Sequence, residues 1–333
     1  MKRRWQALQG SLIKPTVKDR IERRTPLLMS VIVFIIIIGV NRFLQPNFFN
    51  KFVIRSNVAT FLPLIVASVA QTMVILTGNI DLSLGAIITL VNVVIVRLFG
   101  LISDASGWML PLPIFGGILV GLLAGMINGL LIARLRLQAV IATFATNLVW
   151  MGLTLYIMPV PGGSVPFELT SFYRRWFLGI PMSLWFLVLV VVLWLIMRRT
   201  KLIRYFYAVG GSAPNAFTSG INVERVLVSA YALCGFFAGL SGLALTLDIS
   251  SGDPLVGHPL TLSAVTAVVI GGTLLSGGVG TPIGSIFGAS ILGLVRNIIF
   301  FANVSPFYQD FIFGVVVIFA LIFSSLGARR RTT

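Results

Sequence analysis

One cysteine, one histidine and nine acidic side chains are all that 333 residues offer for metal, redox or acid–base chemistry. Cys234 cannot form an internal disulfide, and its place in the apolar run 226–247 suits a small, inert helix-packing group. No Cys, His or carboxylate cluster at metal-ligand spacing surrounds His258. Asp248 and Asp253 share a short loop with it but have no nucleophile elbow beside them. Without a catalytic cluster, a membrane-embedded enzyme has no residues to carry its chemistry.

Charge of either sign is also scarce. Charged residues make up 10% of the chain and apolar ones 57%, and the mean hydropathy is +1.00, which excludes a soluble domain with one core and a charged surface. The net charge of +16 could suit a nucleic-acid binder, but the basic residues sit in short segments between apolar runs, with no basic stripe and no recognition motif. That distribution sets orientation in a membrane instead.

Taking about 20 apolar residues per crossing, ten runs qualify: 27–44, 54–76, 82–101, 110–133, 139–158, 181–197, 226–247, 261–275, 281–301 and 308–326, the eighth being short. The expected organisation is a basic segment 1–26, a transmembrane domain 27–326 with an inward loop at 198–225, and a basic tail 327–333. The basic residues ahead of the first run resemble a signal peptide, but no small-residue cleavage site follows, so the run is expected to stay attached. An even number of spans puts both termini on one side. That side then carries 18 of the 25 basic residues, which predicts both termini in the cytoplasm.

Glycines recur every fourth residue at Gly117, Gly121, Gly125 and Gly129 in the fourth run, and at Gly280, Gly284 and Gly288 in the ninth. Such stripes let neighbouring backbones approach closely and read as packing devices. If spans 2 to 5 and 7 to 10 are two halves, both ladders occupy the third helix of their half, and the halves run in opposite directions as an inverted four-helix repeat. The stretch 271–280 is glycine-rich but contains neither G-x-x-x-x-G-K-[ST] nor a strand before G-x-G-x-x-G. It predicts a helix break rather than a phosphate loop.

A second break is expected where Thr77-Gly78-Asn79-Ile80-Asp81-Leu82-Ser83-Leu84-Gly85 interrupts two apolar runs. A carboxylate at membrane depth is unfavourable by about 2.5 kcal/mol or more, so Asp81 predicts a broken helix, a cavity or a substrate path. Its carboxylate could cap the next helix through the Ser83 or Leu84 N–H, contact substrate, or serve a proton or ion. Polar residues within apolar runs extend the candidate path to Asn79, Asp81, Ser83, Asn128, Thr143 and Asn147, each of which could equally bond helix to helix.

In the loop 198–225, Ser212 can cap, Pro214 suits a first turn and Gly220 can end a helix of about two turns. The segment is either a partner-docking helix or an ordinary connection.

Three segments in order carry a resemblance: Thr77 to Gly85; Ala208-Val209-Gly210-Gly211 through Ser219-Gly220-Ile221-Asn222-Val223; and Val268-Val269-Ile270-Gly271-Gly272 through Gly280-Thr281. Together they resemble the permease subunits of bacterial ribose-type ABC sugar importers. The resemblance implies a ten-helix permease of the inner membrane, working by alternating access as a dimer with a second copy or a homologous permease. Its partners would be cytoplasmic ATPase subunits, which bind the ATP and magnesium, and a periplasmic binding protein; the permease itself holds no cofactor.

The family's coupling helix falls on Ser212, Ala213, Pro214, Asn215, Ala216, Phe217, Thr218, Ser219 and Gly220, which would fit a groove on the ATPase. The substrate implied is a monosaccharide or related polyol-like solute. An ion-coupled secondary transporter using Asp81 is the alternative.

Two departures stand out. Where the family commonly shows Tyr-Glu-Leu-Asp-Ala, this chain has Leu260-Thr261-Leu262-Ser263-Ala264, and where it shows Gly-Gly-Ile-Asp, this chain has Gly78-Asn79-Ile80-Asp81. The loss of both acids at Thr261 and Ser263, expected at the outward mouth, raises pairing with a second, different permease against the commoner homodimer.

Overall fold

The computed structural model describes residues 17–102, 109–305, 307–308, 311–315 and 318. Outside them fall residues 1–16 of the basic segment, most of the tenth expected run and the tail 327–333. The helices are α1 (Val17–Leu44), α2 (Lys51–Ile75), α3 (Leu84–Leu101), α4 (Pro111–Arg134), α5 (Ala139–Ile157), α6 (Phe167–Tyr173), α7 (Met182–Met197), α8 (Lys201–Gly211), α9 (Ala213–Thr218), α10 (Val223–Ile249), α11 (Leu260–Ile270) and α12 (Pro282–Phe301). A hairpin of two-residue strands, β1 (Trp176–Phe177) and β2 (Ile180–Pro181), leads into α7. Among the described residues seven helices are long and apolar enough to cross a membrane, or eight if α7 and α8, bent by 79°, form one broken span. The chain is an all-α polytopic membrane protein.

Burial follows helix position. α2, α3 and α10 form the centre: α10 packs against α2, α3 and α4, while α2 packs against α10, α11 and α12. α1 packs on α12 and leaves Leu28, Ile35, Ile36 and Phe43 exposed, a surface suited to lipid. α4 and α5 likewise turn Phe115, Leu119, Phe144 and Leu148 outward.

Pro63 in the middle of α2 cannot donate to the carbonyl of Ala59 four residues before it. That orphaned oxygen is taken up by the Tyr173 hydroxyl of α6 at 3.3 Å, and the Pro63 carbonyl accepts the Ser241 hydroxyl of α10 at 2.7 Å. Side chains from neighbouring elements thus supply what water would supply outside the bilayer.

The first glycine ladder packs as expected. α4 lies so close to α10 that a Cβ at Gly121 would sit 2.7 Å from the Gly235 carbonyl oxygen, and one at Gly125 would run into the Tyr231 carbonyl. The second ladder is shorter than the spacing implied. Gly284 and Gly288 lie on α12 against α11, but Gly280 precedes the helix at φ +145°.

The eighth run also needs correction. Its helix ends at Ile270 after 11 residues, about 16 Å at helical rise, and residues 271–281 form an irregular break before Thr281 caps α12.

Candidate functional site

The interruption at 77–83 is built as a re-entrant turn. α2 closes with Thr77 N–H bonding the Val74 carbonyl at 2.9 Å, and Gly78 takes φ +81°, a left-handed conformation that glycine adopts without strain. The chain then doubles back along α2. The Gln71 side-chain amide, oriented to satisfy both groups, accepts the Asp81 N–H at 3.1 Å and donates to the Asp81 carbonyl at 3.2 Å. Gln71 lies five residues before Leu76, so the backbone has re-entered by roughly 7 Å when it reaches Asp81.

Side chains from three other helices stitch this segment. Asp81 Oδ1 accepts both the backbone N–H of Ser83 at 2.8 Å and its hydroxyl at 2.7 Å. Asn128 of α4 donates to Ser83 Oγ at 2.7 Å, Thr143 of α5 accepts the Leu82 N–H at 3.0 Å, and the Cys234 thiol of α10 lies 3.8 Å from Asp81 Oδ2.

Asp81, Ser83, Asn128, Thr143 and Cys234 are fully buried. Asp81 thus takes the Ser83 N–H that capping required, but Ser83, not Asp81, is the N-cap position of α3. The start of α3 places its helix-dipole positive end beside the carboxylate.

The polar residues singled out in the sequence therefore separate into two groups. Asp81, Ser83, Asn128 and Thr143 come together at the turn. Asn79, half-buried, bonds locally to Thr77, and Asn147 sits half-buried one turn along α5 from Thr143.

A second re-entrant segment faces the first. α10 ends at Ile249, Ser250 takes φ +61°, and the chain runs back along α3. Asn92 donates to the Ser251 carbonyl at 3.0 Å and accepts the Asp253 N–H at 2.9 Å. One turn lower Thr89 accepts the Gly257 N–H at 3.0 Å, and finally Thr261 accepts the Gly85 N–H at 2.8 Å.

From Asn92 to Gly85 is seven residues of helix, about 10 Å, so residues 251–261 penetrate well past the end of α10. Thr261 and Ser263 are consequently buried, not placed at an outward mouth, so the acids lost there give no surface reason for a second, different permease. Asp248 lies in the last turn of α10 rather than in the loop with His258.

Sequence reasoning missed Gln71, Thr89 and Asn92 and misplaced Thr261. The first three were polar residues in apolar runs, the same signal used for Asn128. A further signal is the repeated pattern of Leu82-Ser83-Leu84-Gly85-Ala86-Ile87 and Leu260-Thr261-Leu262-Ser263-Ala264-Val265, each at the start of a helix that follows a re-entrant turn.

The segment 212–222 forms a compact knuckle between α8 and α10. Ser212 Oγ accepts the Asn215 N–H at 3.3 Å, Pro214 lies in the first turn of α9, and Gly220 closes it at φ +81°. The Ile221 N–H then bonds the Ala216 carbonyl at 3.0 Å, and Asn222 caps α10 through the Arg225 N–H at 2.9 Å. Ala216 faces inward, whereas Phe217 is 71% exposed. Arg136, at φ +54°, lines the adjoining groove with Asn222 and Glu224, and Arg134 pairs with Glu224 at 3.0 Å.

Residues 53–321 match the family described as branched-chain amino acid transport system / permease component. The chain is 32% identical over 302 residues to the ribose import permease protein RbsC of Escherichia coli K12, covering 88% of this chain and 92% of the relative. It is 38% identical over 256 residues to RbsC of Bacillus subtilis 168, covering 76% and 78%. The autoinducer 2 import system permease protein LsrC of Salmonella choleraesuis is 33% identical over 267 residues, covering 78% and 74%. No solved structure matches. With most of its length matched, the chain belongs to the branched-chain amino acid transport system / permease component family.

Proposed function

We propose that this chain is the membrane-spanning permease of an ATP-driven importer, and that it passes a monosaccharide or related polyol-like solute delivered by a periplasmic binding protein. The observation that carries the reading is the capped knuckle at α9. A six-residue helix holding Phe217 71% exposed beside a groove is built to meet another protein. The sugar class rests on the likeness to the ribose import permeases. ATP and magnesium belong to the ATPase that receives α9, and the second permease of the complex is a further copy or a homologue.

The ten-span, inverted-repeat organisation with both termini cytoplasmic is part of the proposal. It is supported by how the halves exchange: α2 packs on α10, α11 and α12, and α10 packs on α2, α3 and α4. The matching patterns 82–87 and 260–265 each begin a helix after a re-entrant turn. Alternating access would use the two turns as its moving parts, with Asn79 and Asn147 available for weak polar contacts to the solute.

The test is uptake by proteoliposomes containing this permease, its ATPase and its binding protein. Uptake should require enclosed ATP and binding protein and should survive collapse of ion gradients. Uptake driven by an ion gradient without ATP would reject the reading.

A further inference from the structure

Three backbone segments that are remote in sequence meet where α8 ends. The Gly278 N–H donates to the carbonyl of Leu76 at 3.1 Å, tying the break before α12 to the end of α2. Gly210 is wedged between them: a Cβ there would collide with the Leu76 carbonyl and sit 2.6 Å from Gly278 N. At Gly277, φ +85°, a Cβ would be 2.6 Å from Gly78 N and 3.0 Å from the Gly210 Cα. One turn earlier on α8, the Tyr207 hydroxyl donates to the Gly280 carbonyl at 2.8 Å.

Two residues beyond Gly210 stands Ser212, the N-cap of α9. α8 is anchored along its length in this arrangement. Ile203, Phe206 and Val209 are buried on one face of it, and the 79° bend separates it from α7. The first re-entrant turn begins directly after Leu76, and the second break runs straight into α12.

We infer that the Gly210 joint, braced by Tyr207, is the mechanical link that carries displacement of α9 to the ends of α2 and α12. Gly210 and Tyr207 are positioning residues for transport: they touch neither solute nor nucleotide. Side chains would cushion relative motion, whereas direct backbone contact with a shared carbonyl passes it on, because close-packed elements move between discrete arrangements instead of deforming. This inference rests on the transport reading given above.

The neighbouring glycine supplies the control. A Cβ at Gly211 meets nothing within 4 Å, although Gly211 lies on the same helix and directly precedes the same cap. Alanine favours helix over glycine at either position, so propensity cannot explain a difference between them.

The experiment measures ATP hydrolysed per solute taken up by the reconstituted full complex, for wild type, Gly210→Ala, Gly211→Ala and Tyr207→Phe. Gly210→Ala should raise the ratio about tenfold with the ATPase still bound, and Tyr207→Phe should raise it about fivefold, the shift one hydrogen bond supplies. Gly211→Ala should match wild type.

Should Gly210→Ala fail to assemble, Tyr207→Phe decides, since it removes one hydroxyl and fills no space. A wild-type ratio in Tyr207→Phe overturns the joint, as does a Gly211→Ala variant uncoupled as fully as Gly210→Ala. Wild-type uptake without ATP removes the transport reading and the joint with it, whereas normal wild-type coupling with unchanged variants removes the joint alone.

Discussion

The hydroxyl of Thr261 accepts the backbone N–H of Gly85 at 2.8 Å, so the first turn of α11 caps the first turn of α3. The first N–H groups of a helix have no intrahelical partner, and the N-cap Ser83 makes no side-chain capping bond to α3. Its hydroxyl is already committed to Asp81 and Asn128. Thr261 therefore supplies from another helix what the local sequence does not. Thr261→Val keeps shape and leaves a buried N–H unpaired, an expected loss of about 1–3 kcal/mol. Thr261→Ser should retain the bond. Thermal unfolding of the purified permease should rank wild type and Ser together and Val lower; equal values for Ser and Val would argue against the cap.

Asp81 tests the first turn in the same way. Its Oδ1 holds both the N–H and the hydroxyl of Ser83, and a neutral amide oxygen can accept the same pair. Asp81→Asn should keep assembly and most uptake, while Asp81→Leu should lose both by leaving the Ser83 N–H and hydroxyl without their acceptor in the interior. If Asn is as inactive as Leu in a well-assembled complex, the negative charge itself is required, and a proton or ion role gains ground over stitching.

The sequence revealed what local chemistry decides. Apolar run lengths located the seven crossing-length helices among the described residues, and Ser212, Pro214 and Gly220 located α9, because capping and termination involve residues within a few positions of one another. The re-entrant course of 251–261 was hidden for the opposite reason. Its partners Thr89 and Asn92 lie some 160 residues away, and the hydrogen bonds that replace helix there are visible only in three dimensions. The eighth run looked like a short span because hydropathy cannot distinguish a buried helix from a buried extended segment. The placement of Thr261 was misread with it.

Gly125 should be the least replaceable member of the α4 ladder. A Cβ there would run into the Tyr231 carbonyl and lie 2.8 Å from both the Cα and N of Gly235, all backbone atoms that cannot swing aside. Gly125→Ala should force α4 from α10 at about 1–3 kcal/mol, the usual penalty of overpacking. Gly152→Ala on α5, where a Cβ meets nothing within 4 Å, should unfold at the wild-type temperature or slightly above it. Equal destabilisation by the two would mean that helix apposition through Gly125 does not limit stability.

Phe217 is the side chain whose replacement should separate docking from folding. It is 71% exposed on α9, while its neighbour Ala216 is 4% exposed and faces the interior. A charge at Ala216 would disturb the permease itself; a charge at Phe217 stays at the solvent-open groove it shares with Arg136 and Glu224 until a partner arrives. An aromatic that acts as an interface hot spot carries about 2 kcal/mol or more of binding, and an aspartate in that position must be desolvated on docking. Phe217→Asp should therefore lower capture of the ATPase about thirtyfold and abolish uptake, with the unfolding temperature of the isolated permease unchanged. Gly220→Ala provides a graded comparison, since its φ of +81° strains any residue with a Cβ although the space around it is open. It should weaken the C-terminal turn of α9 and reduce capture less than Phe217→Asp does. Wild-type capture and uptake by Phe217→Asp would show that α9 is a connection only, and that the ATPase is received elsewhere.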